Sequence, residues 1–360
     1  MALRACGLLL SLALAGCGTG EDNDRVYVEV PGQEGDADAV DAVDAVDTVS
    51  HSSDGPDAPG PDTGADAAPD TASCSTDCDP GGAPFGGGCG TDEHPWLICT
   101  AAQLAEADHS QYLDDAFRLS ADIDMDEIAP AEYKPIGDIM SPFTGTFDGN
   151  HKTISNLTID APNRTDQGLF GATLNSTIKD LDLVNVSVAG GEAVGALVGW
   201  NIGIVTNCSA TGEVTATADA VGGLVGANGE PTFRSDDPYG LIRFSHASVD
   251  VSSDGSMVGG LVGRCNWDSG VNSSFASGDV SGLDEVGGLI GAHRGGVMNS
   301  YATGDVSGRN MVGGLTGSLE TYGTLRQTYS LGRPSGIENV GGLTGEGGFS
   351  VYDSYWNIET

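Results

Sequence analysis

A hexapeptide built on Val-Gly-Gly-Leu recurs six times in the second half of this chain. It reads VGALVG at 194–199, VGGLVG at 221–226 and 258–263, VGGLIG at 286–291, and VGGLTG at 312–317 and 340–345. Successive starts lie 27, 37, 28, 26 and 28 residues apart. A unit of that size cannot bury its own apolar side chains, so the units must stack on one another to make a shared core. β-Propeller blades need about 40 residues and four strands, more than this period supplies. Short strands separated by Gly-rich corners, with φ > 0 expected at the glycines, predict coils that pair in parallel about 4.8 Å apart. The expected fold is all-β: a parallel β-helix (β-solenoid) of about eight rungs with three short strands each. Parallel crossovers favour the right-handed sense.

A second landmark, an apolar residue opening a strand, gives the column Ile154, Ile178, Val205, Ile242, Val271, Val297, Leu325 and Val351. Three residues further come Leu157, Leu181, Cys208, Ser245, Ser274, Ser300, Thr328 and Ser354. Two more residues on stand Ile159, Leu183, Ala210, Ala247, Ala276, Ala302, Ser330 and Trp356, so the interior should narrow or repack along its length. About ten extra residues fall between Gly226 and Ile242.

The N-terminus reads as an export signal: Arg4 as the basic region, Leu8 to Leu14 as the apolar stretch, too short to span a bilayer. Cys17 after Leu14-Ala15-Gly16 looks like the lipobox of bacterial lipoproteins, which implies removal of 1–16 and acylation of Cys17. Gly18 in place of Asp implies, by the same likeness, sorting to the outer membrane, surface-exposed or periplasm-facing. Residues 17–73 form an acidic tether of Asp, Ala, Pro and Gly, too poor in apolar groups to order itself. Its contour from residue 18 is at most roughly 185–200 Å.

Net charge is −38, of which residues 21–80 carry −16 (17 acidic, one basic). Nucleic acid and anionic lipid headgroups need basic patches, so neither is an expected partner. Residues 74–142 read as an N-terminal cap, with a capping box at Thr100 and Gln103 opening a helix over about 101–108 and a half-buried strand within 116–125. Cys74, Cys78, Cys89 and Cys99 suit disulfides of any pairing, while their spacings of 4, 11 and 10 fit a zinc site poorly. Cys208 and Cys265, at different offsets within their repeats, are expected buried and reduced, with a bridge between them as the lesser alternative. The solenoid proper is assigned to 143–360.

These residues closely resemble the GLUG-motif family of bacterial surface proteins. The likeness is carried by the Val-Gly-Gly-Leu hexapeptides, NSYATGDVSG (299–308), NCSATGEV (207–214), GTFDGNHKTISNLTI (145–159), WLICTAAQL (96–104), RLSADIDM (118–125) and DSYWN (353–357). It implies a β-helical, secreted or surface-exposed domain associated with adhesion or with the neighbourhood of IgA-protease-type metallopeptidases. It transfers no catalytic set.

No catalytic or metal-ligating constellation emerges from the residues. The six histidines form no HExxH, and there is no GxSxG or phosphate loop. Asn156, Asp180, Asn207, Ser273, Asn299 and Asp353 read as a turn-capping column. His246, Phe275, Tyr301, Tyr329 and Tyr355 share an outward position that suits cross-rung packing or stacking on sugar. Glu213, Asp250, Asp279 and Asp305 align as a hydrated acidic stripe, with weak calcium binding as its alternative. The insertion around 228–240 is the place for individuality. Phe233, Arg234, Asp236, Asp237 and Tyr239 there are the candidate binding residues. The expectation is a monomeric, non-enzymatic surface protein for adhesion or extracellular binding of glycan or protein. An envelope spacer is second, and a polysaccharide-active enzyme third.

Overall fold

The computed structural model describes residues 3–5, 74–229, 239–347 and 350–358. Cys17, the tether, and the loop residues Phe233, Arg234, Asp236 and Asp237 lie outside the described residues. Within the stretch read as an export signal, Leu3–Ala5 lies antiparallel against Tyr355–Asn357.

The architecture is a β-solenoid of about eight turns. Its parallel ladder starts at Trp96–Ile98, which pairs with Ala116–Leu119, which in turn pairs with Thr146–Ser155. From there one column runs through the molecule: Phe117, Phe147, Ile178, Val205, Ile242, Val271, Val297, Leu325 and Val351 stand on successive coils. All but Val351 are at most 1% exposed. The second inner column, Leu183, Ala210, Ala247, Ala276, Ala302, Ser330 and Trp356, is also in register.

The first coil departs from the sequence alignment. Phe147, not Ile154, faces Ile178, while Ile154 faces Leu183 and Ile159 faces Val188. Between Asp148 and Lys152 three residues stand opposite Asp180 alone, a bulge that changes the offset to the next coil from 31 residues to 29, where the sequence column had used 24. Asn156 accordingly leaves the Asp180 column and pairs with Asn185, whose Nδ2 donates to its Oδ1 at 2.7 Å.

Coils in the second half hold five short segments, not three strands. In one of them these are Val258–Gly259, Val262–Cys265, Gly270–Asn272, Phe275–Ala276 and Val280–Ser281. The break at Ser273 is a corner in left-handed backbone, the one at Gly260–Leu261 is not, and two columns of left-handed corners contain no glycine. One corner column holds Ala193, Ala220, Met257, Glu285, Met311 and Asn339, with φ between 51° and 64°. The other holds Asp180, Asn207, Phe244, Ser273, Asn299, Gln327 and Asp353, with φ between 48° and 54°. The hexapeptide glycines are instead required by crowding. A Cβ at Gly222 would meet Val225 O at 2.2 Å and Gly263 N at 2.7 Å, so the coil closes on itself and on its neighbour only without a side chain.

Inside, the core changes chemistry along its length. The first coils pack Phe117, Phe143, Phe147 and Phe170 ring against ring at 5.2–6.3 Å. Later coils replace bulk by a hydroxyl ladder. Ser245, Ser274 and Ser300 each donate to the carbonyl two residues back, and the Ser274 and Ser300 hydroxyls accept the N–H of the residue stacked above. Ser245 Oγ likewise accepts from Cys208 N. Narrow coils thus keep buried corner amides satisfied without water.

The cap is tied by Cys74–Cys89 and Cys78–Cys99, while Cys208 and Cys265 are free and buried. Four thiols in disulfides leave none of them for zinc. The helix spans Ala101–Ala105 and continues as one 3-10 turn, Glu106–Asp108. Thr100 Oγ1 accepts from Gln103 N, and Gln103 Oε1 reaches back to Cys99 N, one residue beyond the usual capping box. Among the described residues no helix is long and apolar enough to cross a membrane.

Candidate binding site

Because side chains repeat by column, outward chemistry repeats as stripes. In the acidic stripe the three aspartates are each engaged by the backbone of the next coil, while Glu213 is held by a side chain of the preceding one. Asp250 accepts from Asp279 N at 3.0 Å, Asp279 from Asp305 N at 2.9 Å, and Asp305 from Arg333 N at 2.9 Å. Glu213 accepts from Ser187 Oγ. A carboxylate that accepts a main-chain N–H gains a partner that offsets repulsion along the stripe. The stripe lines an open groove of about 540 Å³ with Ser252, Ser281 and Ser307. Among the described residues no group of three or more His, Cys, Asp or Glu converges as a ligand set.

The aromatic stripe is a face-to-face stack. His246, Phe275, Tyr301 and Tyr329 follow one another at ring distances of 4.5, 4.9 and 4.7 Å, with planes within 9° of parallel. Each inner ring has both faces covered by its neighbours and presents only an edge to solvent. A sugar ring stacks on an aromatic face, so this stripe serves packing between coils. Burial lowers the His246 pKa and raises that of Tyr329.

The insertion corner is different. Tyr239, the one candidate loop residue described, is 55% exposed. The loop stems at Gly229 and Gly240 are fixed from both sides: Trp200 Nε1 and Asn266 Nδ2, on the coils before and after, both donate to Gly229 O, and Asn228 Nδ2 of the same coil donates to Gly240 O. Behind the stems runs a buried polar chain that the sequence reading did not single out. Thr173 Oγ1 donates to Asn201 Oδ1, Asn201 Nδ2 to Asn228 Oδ1, and Asn228 Nδ2 to Cys265 Sγ. The next residue in that column is His293, wholly buried.

Outside this column two arginines lie over indole rings. Arg264 stands 5.6 Å from the Trp200 ring centre and Arg294 stands 5.7 Å from that of Trp267. Burial lowers the Arg264 pKa against the pull of Glu192, and its Nε has no hydrogen-bond partner. Burial also raises the Glu285 carboxyl, which accepts from Ser318 Oγ at 2.9 Å. Arg294 Nε donates to Glu320 Oε2 at 2.7 Å. Two coil corners here, 266–269 and 320–324, project Trp267 and Tyr322 together with ring centres 5.4 Å apart. They wall a hollow of about 580 Å³, bordered by Asp268, Ser269, Arg294, Gly296 and Thr324. That volume lies in the range of small-ligand clefts, about 300–1,000 Å³. The pair was invisible in sequence because 55 positions separate its members, and only coil stacking joins them.

Comparison with known proteins agrees with this geometry. The family described as the GLUG motif matches residues 190–215. Halomucin of Haloquadratum walsbyi is 33% identical over 58% of this chain. A protein of Evansella cellulosilytica described as a candidate Gly-rich membrane protein is 40% identical over 35% of it. The zinc metalloprotease ZmpC of Streptococcus pneumoniae is 26% identical over 48%. The aligned part is 3%, 15% and 9% of those relatives' own lengths. Among solved structures, a Bacteroides ovatus protein described as a candidate immunoglobulin A1 protease shares the fold with TM-score 0.60 and 22% identity, covering 75% of this chain and 86% of that one. An IgA1 protease matches with TM-score 0.51 and 18% identity, over 71% of this chain and 21% of its own. Motif and fold together show that the chain carries the GLUG motif at 190–215, within a β-solenoid.

Proposed function

We propose that this chain is a lipid-anchored, surface-exposed β-solenoid that binds extracellular material and is not an enzyme. The observation that carries the reading is the break in an otherwise columnar surface. Side chains from separate coils converge where the insertion leaves the rod, and they make an aromatic and polar hollow in place of a repeated stripe. Leu14-Ala15-Gly16-Cys17 and the acidic stretch that follows support anchoring and display away from the membrane. The carboxylates of the acidic stripe support a non-enzymatic reading, since its aspartates are engaged with backbone N–H groups and the stripe runs along one face in place of opposing carboxylates across a groove as a general acid and base would. The likeness to proteins named as proteases covers the solenoid fold, which suits a binding module carried beside other activities.

Cells producing the full chain are expected to adhere to surfaces coated with extracellular polysaccharide or matrix protein. Cys17→Ser should move the chain out of the membrane fraction and abolish adherence, and deletion of 228–240 should weaken it. Adherence equal to that of cells lacking the chain, on every such surface, would contradict the reading.

A further inference from the structure

The hollow walled by Trp267 and Tyr322 has a floor that the fold does not require. Its column on successive coils reads Thr146, Thr177, Ile204, Leu241, Gly270, Gly296 and Thr324. Only two of these positions are glycine, and they are adjacent. Neither has positive φ. A Cβ at Gly296 would meet nothing closer than Thr324 Oγ1 at 3.7 Å, and one at Gly270 only Gly296 O at 3.4 Å and Leu241 Cδ1 at 3.6 Å. The hexapeptide glycines would clash with backbone, whereas these two have room for a side chain. Flanking coils fill the same place with Thr, Leu or Ile. Glycine without crowding and without special backbone marks a place kept open for something else.

The walls point the same way. Tyr322 is 76% exposed and holds φ 77°, a left-handed backbone costly for a bulky aromatic. Strain of that kind, on a ring held out in solvent, recurs at ligand sites. Trp267 stands beside it, steadied from one side by Arg294, which is itself held by Glu320. The rim supplies hydrogen-bonding groups in Asp268, Thr324 and Ser269. Flat glycine floor, aromatic wall and polar rim match a ring with one apolar face and hydroxyls at its edge.

We propose that this hollow is a carbohydrate site that takes a pyranose ring of a neutral saccharide, with the C–H face against Trp267 or Tyr322 and hydroxyls toward Asp268 and Thr324. Neutral sugars are favoured over sulfated or uronic ones because Arg294 is already paired with Glu320, Asp268 adds a negative charge, and the chain carries −38 overall. The proposal rests on the extracellular-binding reading and narrows its ligand class.

The test applies the purified full-length chain to an array of neutral and acidic oligosaccharides, then titrates the best neutral binder by tryptophan fluorescence. Two variants probe the hollow. Gly296→Thr installs the residue of the next coil, and Tyr322→Gly removes the ring while relieving the positive φ. Both should keep the wild-type melting temperature or raise it, and each should weaken neutral-saccharide binding by about tenfold or more. Unchanged binding in the two folded variants would overturn the hollow as the site and leave extracellular binding standing. Unfolding of Gly296→Thr would refute the open floor. Binding of acidic saccharides alone, or of proteins and no saccharide, would overturn the ligand class. No binding to any saccharide or matrix protein would instead remove the underlying reading.

Discussion

His293 shows how one buried side chain can couple a solenoid to its surroundings. It stands between Cys265 and Leu319 in its column. Nε2 lies 3.2 Å from the Thr324 carbonyl and acts as donor, which leaves Nδ1 buried without a partner. Burial pulls its pKa down to about 4 from 6.5. Above pH 6.5 the ring is neutral in folded and unfolded chains alike, so the residue has no pH effect there. Between pH 6.5 and 4 only the unfolded chain takes up the proton, and stability falls as pH falls. The loss from this residue reaches up to about 3 kcal/mol at the acid end. His293→Leu, which copies Leu319, should remove that part of the acid sensitivity. Urea unfolding of both proteins at pH 7 and pH 4.5 checks this: the stability gap should shift toward the variant at low pH. A gap that stays constant would mean that His293 titrates normally.

At the scale of the element, a stripe is more informative than any of its members. The acidic stripe suggests a cation ladder, but each of its three aspartates caps an amide of the following coil. Asp279→Asn keeps an oxygen that can accept from Asp305 N and removes one repelling charge, so thermal stability should hold or rise slightly. Asp279→Ala loses the acceptor and should cost about 1 kcal/mol. Millimolar calcium should leave the melting temperature of the wild-type chain where chelator leaves it. A calcium-dependent rise that Asp279→Asn abolishes would restore the cation reading. Column membership was legible in sequence wherever the apolar period is regular, from Val205 to Val351. It failed at the first coil because Phe147 and Ile154 are both buried apolar strand residues, and the column took Ile154 where the ladder places Phe147 opposite Ile178. Corners were misassigned for a related reason. Glycine is abundant enough to suggest φ > 0, but crowding explains the hexapeptide glycines, and Asn, Ala, Met and Glu take the left-handed positions. The hollow was the least legible feature. Gly270 and Gly296 look like every other glycine in the chain until the space around each is known.

Over the whole molecule, function follows from stacking, since a uniform rod gains a distinct place only where coils differ. The insertion after Gly229, the bulky corners at Trp267 and Tyr322, and the two bare glycines fall within consecutive coils. The N-terminal coils, rich in phenylalanine and closed by two disulfides, make a firm base on which that variable surface is presented. Both the stripes and the hollow require that residues about 27 positions apart sit side by side in one fixed register.

Engineered cysteines read that register directly. Ser248 and Ser277 are exposed neighbours on adjacent coils with hydroxyls 2.7 Å apart. Parallel neighbours lie within the Cα separation of about 4.4–6.8 Å that a disulfide needs. Under mild oxidation the Ser248→Cys/Ser277→Cys chain should cross-link rapidly within one molecule, and Ser248→Cys/Ser281→Cys should not. Efficient bridging of 248 to 281, or none of 248 to 277 in a folded chain, would show that the coils do not pile up in this register and would take the binding hollow with them.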